Sequence, residues 1–228
     1  MPPITLWFLQ ASRSIRIAWL LEELGINYDI KFADRMSNMA APEDFKASSG
    51  NPLGKFPSMK DGDVTIYESG VITEYLCEIY DEQHKLIPED LRRRVKVLQW
   101  IHAAEGTFML HALAITYARW NMPQSAKDNG VLQVTEKGLS VNVQKDLDWL
   151  ETELSLSEGK FLCGEHVTAA DTMMQFSIDF ILVTKLGTQA KEWPNIQRWL
   201  ETCKETVTFQ KAVAKSGYEL TAKGPDLE

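Results

Sequence analysis

Apolar residues follow two rhythms along this chain, and the change from one to the other divides it. Near the start, Ile4 to Leu9 and Tyr28 to Phe32 are short apolar-rich runs of strand length, and between them a helical spacing runs until Gly25. Ser58-Met59-Lys60 and Val64-Thr65-Ile66-Tyr67 are two more short runs, joined through Asp61-Gly62-Asp63. Asp-Gly between apolar runs marks a tight hairpin. After Ser69 the apolar positions become Val71, Ile72, Tyr75, Leu76, Ile79 and Tyr80, a helical period with Ser69 expected as N-cap. The predicted order is βαβ–α–ββα.

Past this point no strand signal recurs. Asp81 to Glu89, with Gln83-His84-Lys85 and Pro88, separates the α/β part from a region of helical periodicity. Val95, Leu98, Ile101 and Phe108 mark one helical face there, and Leu139, Val143, Leu147, Leu150 and Leu154 another. Thr168-Ala169-Ala170-Asp171 has the form of a capping box. Trp193-Pro194 opens a further helix whose apolar face carries Trp199, Leu200 and Cys203. The expected organisation is an α/β domain at 1–83, a linker at 84–90, an all-α helical bundle at 91–218 and a mobile tail at 219–228.

Composition narrows the function classes. The 228 residues carry a formal net charge of −8, which opposes nucleic-acid binding, since that affinity comes from clustered Lys and Arg. Arg92-Arg93-Arg94 is the exception, expected as a solvated helix start beside Glu89 and Asp90. The apolar helix after Ala169 is interrupted by Asp171, Gln175 and Asp179, so no integral membrane segment is expected, and no signal-like apolar core opens the chain. Cys77, Cys163 and Cys203 are odd in number and widely spaced, without Cys-x-x-Cys, which suits a reducing, cytoplasmic setting.

The candidate chemistry lies between Asn51 and Cys77. Proline at Phe56-Pro57 removes a ladder donor at a strand entrance and makes this bond a cis candidate. The Phe56 N–H and C=O are then free to bind an extended, peptide-like ligand. Glu68-Ser69 falls where strand becomes helix. The helix N-terminus and the Ser69 hydroxyl suit a carboxylate, and Glu68 suits a neighbouring ammonium, the two groups of an α-amino acid.

These residues, Asn51-Pro52 with Gly54-Lys55 and Pro57, then Glu68-Ser69 and Ile72, resemble the segment of the glutathione S-transferases that carries Asn-Pro-x-Gly-Lys-x-Pro, a hairpin and Glu-Ser-x-x-Ile. The stretch Ser12 to Gly25 resembles the first helix of fungal and bacterial members, and Leu162-Cys163-Gly164 through Asp171 resembles their C-terminal domain. The resemblance implies a thioredoxin-like N-terminal domain, glutathione as cosubstrate without a metal, a hydrophobic electrophile bound between the domains, and a homodimer.

A glutathione thiol with a pKa of roughly 8.5 is only about 3 percent thiolate near neutrality, and lowering that pKa by two units takes roughly 2.7 kcal/mol. One hydroxyl donor to an anion supplies about 1.5–3 kcal/mol and a helix N-terminus about 0.3–1. A serine at the first strand-to-helix turn meets that need, and Ser12 and Ser14 are both candidates. No tyrosine precedes Tyr28, which excludes a tyrosine-activated thiolate from the first strand. Aligned on the arginine that follows the family's serine motif, here Arg16, the resemblance puts Ser12 at the catalytic position and leaves Ser14 as the helix cap. It places Lys55 on the glycine carboxylate, with Phe56, Glu68 and Ser69 completing the glutathione site. Arg16 is expected to pair with a nearby acid, and His111 to be a satisfied polar side chain. Phe8, Phe108, Tyr117 and Trp120 are the candidates for the electrophile pocket. The competing expectation is a non-catalytic binding or regulatory protein of the same fold. A reductase of mixed disulfides would want cysteine at position 12.

Overall fold

The computed structural model describes residues 3–221. Strands β1 (Ile4–Leu9), β2 (Tyr28–Ala33), β3 (Ser58–Asp61) and β4 (Val64–Tyr67) form one sheet in the order β2-β1-β3-β4. β1 and β2 are parallel, with Ile4 opposite Tyr28 and Leu9 opposite Ala33, and β3 is antiparallel to both its neighbours. A parallel pair requires a crossover, supplied by α1 (Ser14–Leu24), whose residues from Ser14 to Leu21 are all buried. Gly25 ends α1 at φ 67, the left-handed cap that glycine adopts most readily. The hairpin turn is Gly62-Asp63, with φ 56 at Gly62. With α2 (Glu43–Ser48) and α3 (Ser69–Tyr80), the expected βαβ–α–ββα order is complete.

All that follows is helical: α4 (Leu91–Ala103), a π-helical turn (Ala104–Met109), α5 (Leu110–Asn121), α6 (Gln124–Asp128), α7 (Val131–Leu156), α8 (Ala169–Val183), α9 (Pro194–Glu205) and α10 (Val207–Ser216). The two parts share one core, because α1 packs against α8 and α10 as well as α3. Trp19, Leu20 and Ile72 are continuous with Ile101, Phe108, Met174 and Phe209.

Side chains satisfy the starts of some helices. Asp90 accepts the Arg93 N–H at the head of α4. The capping box at Thr168 is present, and buried Asp171 takes four donors: the N–H of Leu162 and of Thr168, the Thr168 hydroxyl and the Trp199 indole. Proline opens α9, and its free amides at Asn195 and Ile196 donate to Glu151 of α7.

Several local expectations are corrected. Ser69 is the first residue of α3 rather than its cap, and Glu68 takes the cap position at φ 76, because the Ser69 hydroxyl is turned toward Arg16. Ser14 likewise opens α1 as a helical residue, while Ser12 Oγ accepts the Ser14 N–H. Val71, Ile79 and Val95 are exposed, since periodicity marks an apolar stripe without saying what covers it. Of the expected tail, Glu219 donates its N–H to the Gln10 side chain and Leu220 packs against the core, while 222–228 lie outside the described residues. Among the described residues no helix is long and apolar enough to cross a membrane.

Removing Asp171 strands four donors in the core at once. Asp171→Ala is expected to lower unfolding free energy by roughly 3 kcal/mol or more, and Asp171→Asn by less, as read from urea unfolding midpoints.

Candidate active site

The turn between β1 and α1 sets the first functional group. Ala11 has φ 50, and this left-handed step carries the chain from the strand into Ser12. Ser12 Oγ lies 2.9 Å from Ser14 Oγ and accepts the Ser14 N–H at 3.1 Å. Ser14 is fully buried, with its hydroxyl 3.4 Å from the Trp7 carbonyl. Ser12 therefore faces the cleft, and Ser14 supports it from below.

The second wall is the loop before β3. Asn51 organises it, donating to the Lys55 carbonyl at 2.8 Å and accepting the Leu53 N–H at 2.9 Å. Gly54 sits at φ 57 with the Lys46 side chain so close that a Cβ would lie 2.9 Å from it, so a larger residue would be strained and would have to displace Lys46. Lys55 is exposed at the rim. The Phe56 ring stacks on Phe45 of α2 at 4.8 Å, and Phe56-Pro57 is cis. Neither the N–H nor the C=O of Phe56 meets a partner among the described residues.

Glu68 and Ser69 form the third wall. The strained backbone of Glu68, φ 76 and ψ 113, aims an exposed carboxylate that has no ion-pair partner among the described residues. Ser69 Oγ accepts a hydrogen bond from Arg16 at 3.0 Å, which leaves its own O–H to donate elsewhere.

Ser12, Lys55, Phe56, Glu68 and Ser69 line one cavity of about 510 Å³. A second cavity of about 230 Å³ adjoins it, and Ser12 lines both. Tyr117 and Trp120 line the second, with Met109, Leu113, Phe176 and Phe180. Two expected pocket residues do not reach it. Phe8 is fully buried between the sheet and Tyr218, and Phe108 is fully buried against Trp149, because each points into the shared core rather than toward the cleft. His111 Nδ1 lies 2.6 Å from Asp146 of α7, a satisfied polar pair away from these walls. No group of three or more His, Cys, Asp or Glu among the described residues could hold a metal ion.

The sequence profile of the glutathione S-transferase N-terminal domain matches residues 2–78, and that of the C-terminal domain matches 127–206. Glutathione S-transferase 3 of Schizosaccharomyces pombe is 33% identical, over 93% of this chain and 87% of that protein. The chain belongs to the glutathione S-transferase family. Glutathione S-transferase 1 of Saccharomyces cerevisiae is 26% identical over 100% of this chain and 99% of its own length. A crystal structure of a glutathione S-transferase from Actinobacillus pleuropneumoniae has a TM-score of 0.79 at 27% identity, covering 98% of both chains.

In this glutathione S-transferase, an ion cluster underlies the cleft. Arg16, 1% exposed, donates to Glu105 at 2.6 Å, to Ser69 at 3.0 Å and to Ser177 of α8 at 2.6 Å. Arg13 shares Glu105 at 2.5 Å. Burial pulls the Arg16 pKa down to about 10 against the opposing pull of Glu105. Burial would raise the Glu105 carboxyl, but the charges of Arg16 and Arg13 and their hydrogen bonds outweigh it, and its pKa is lowered. Glu105 is the acid that Arg16 was expected to find. Its one signal in the sequence was a carboxylate on the same helical face as Ile101 and Phe108.

Glu105→Gln is expected to cost about 2 kcal/mol of stability near neutral pH, because it leaves Arg16 buried without its counter-ion. Since the folded pKa of Glu105 lies below the unfolded one, its contribution is complete above about pH 4.3 and is lost as pH falls through the lower folded value. The stability gap between wild type and Glu105→Gln should therefore close in acid. A gap that stays constant in urea unfolding as the pH is lowered from about 4.3 would remove the ion-pair account.

Proposed function

We propose that this chain is an active glutathione transferase, joining the glutathione thiolate to hydrophobic electrophiles. The observation that supports this most is the sharing of Ser12 between a polar cavity suited to a tripeptide and an apolar one suited to an acceptor. Glu68 receives the ligand ammonium. The Ser69 hydroxyl and the free amides of α3 receive the adjoining carboxylate, the Phe56 backbone pairs with the cysteinyl unit, and Lys55 meets the glycyl carboxylate.

Ser12 then turns its O–H from Ser14 Oγ to the thiolate. With an aryl halide, the sulfur forms a bond to the ring carbon and the halide departs with its electron pair. Tyr117, whose side chain reaches the seam of the two cavities, stands where it can donate to the leaving group, and Trp120 walls the acceptor side. The same thiolate serves peroxidase chemistry, with two glutathiones oxidised to the disulfide as a hydroperoxide becomes alcohol and water. Detoxification in the cytoplasm as a homodimer completes the proposal. The exposed apolar residues Val71 and Ile79 of α3 and Leu91 and Val95 of α4 support the dimer.

Ser12→Ala is expected to reduce kcat for glutathione and 1-chloro-2,4-dinitrobenzene by about 10²-fold, leaving glutathione affinity by calorimetry within about threefold. Ser14→Ala should lose far less. Glutathione binding without conjugation or peroxidase activity in the wild type would favour a non-catalytic member of the family. Absence of glutathione binding would overturn the assignment of Lys55, Phe56, Glu68 and Ser69. Sedimentation velocity at micromolar concentration should give a dimer, and a monomer would refute that part.

A further inference from the structure

Arg35 lines both cavities, beside Ser12 at their seam. It follows β2 and is half-buried. Its Nε donates to the Gln10 carbonyl at 2.9 Å, one terminal nitrogen to the Met39 carbonyl at 2.8 Å and the other to the Ala11 carbonyl at 3.1 Å. A guanidinium has five N–H donors, so these three bonds leave two free, and none of the acceptors is ionised.

Three arginines line the apolar cavity, and the other two are neutralised. Arg13 pairs with Glu105 at 2.5 Å, and Arg119 grips Glu136 through two bonds at 2.7 and 3.1 Å. Arg35 has no carboxylate within ion-pair distance among the described residues. Burial, and then the charge of Arg13, hold its pKa below the ordinary value. Glu105, on the wall of the larger cavity, is paired with Arg13 and Arg16 and makes no ion pair with Arg35. Apart from the arginines and a few hydroxyl side chains such as Thr116 and Thr184, the cavity wall is apolar, from Leu113 through Phe176 and Phe180 to Leu186 and Leu220.

We propose that this cavity takes acidic acceptors, an aromatic or other apolar body among Phe180 and Leu186 with its carboxylate on Arg35, and that Arg35 sets this preference. The proposal rests on the transferase reading only for the reaction, since the subsite itself is a matter of binding. A carboxylate supplies the counter-ion the site lacks and accepts from the N–H groups that the three carbonyls leave free. A neutral acceptor fills the same apolar volume and leaves the cation uncompensated.

The test uses ring systems that differ only in the carboxylate, on the full chain. Calorimetry compares 3,5-dinitrobenzoate with 1,3-dinitrobenzene, and kcat/KM with glutathione compares 4-chloro-3,5-dinitrobenzoate with 1-chloro-2,6-dinitrobenzene. Wild type is expected to bind the acid about tenfold tighter than the neutral ring, as one charge-assisted contact implies. Arg35→Met should collapse that ratio and Arg35→Lys should retain part of it. A wild type without preference, or a ratio unchanged in Arg35→Met, overturns the proposal and leaves Arg35 as a clamp on the Gln10–Ala11 turn. If Arg35→Met does not fold, the wild-type ratio and Arg35→Lys decide. An acid preference with no turnover of either chloride would sink the transferase reading and leave the subsite standing.

Discussion

A guanidinium with almost no access to water holds the two halves of this protein in register. Arg16 leaves α1 and reaches α3 through Ser69, the π-helical turn through Glu105 and α8 through Ser177. A buried cation is tolerated only where counter-charge and acceptors surround it, so each of these groups is held where Arg16 needs it. The consequence for chemistry is direct. Ser69 and Glu105 are walls of the larger cavity, and Ser69 accepts from Arg16, so its own proton is free to point into the cleft.

The π-helical turn is the geometric counterpart of that demand. Between α4 and α5 the backbone winds wider over Ala104–Met109, with one extra residue in each hydrogen-bonded loop, and Glu105 lies within this turn where it meets Arg13 and Arg16. The Ala104 carbonyl at its start also accepts the Ser177 hydroxyl, which ties α8 to the same point. The left-handed backbone at Ala11 and at Glu68 belongs to the same economy. Both sit next to a residue whose side chain faces the cleft, and the packed surroundings hold the less common conformation.

Much of the fold was legible because local signals agreed. Asp-Gly between apolar runs placed the hairpin, Gly25 ended α1, and the Thr168–Asp171 box and Trp193-Pro194 each opened a helix where expected. Ser12, Lys55, Phe56, Glu68 and Ser69 drew notice in the sequence because they fall at or near turns between elements, where backbone groups are unpaired, and the fold brings all five to one cavity. Phe8 and Phe108 were misread as pocket residues, since an aromatic stripe looks the same in sequence whether it faces a cleft or a core. Val71 and Val95 met the same ambiguity in reverse, lying on apolar stripes that this chain leaves uncovered.

The sequence by itself determined the order of elements, the ends of several helices and the residue types of the polar site, because capping, turn chemistry and periodicity act over a few residues. Only the tertiary structure decided that Glu105 is the partner of Arg16, that Arg35 makes no ion pair among the described residues while Arg13 and Arg119 do, and that Leu220 returns to wall the smaller cavity. These are relations between residues far apart in the chain. Burial and charge pairing depend on what surrounds a group in space, and no local pattern records that.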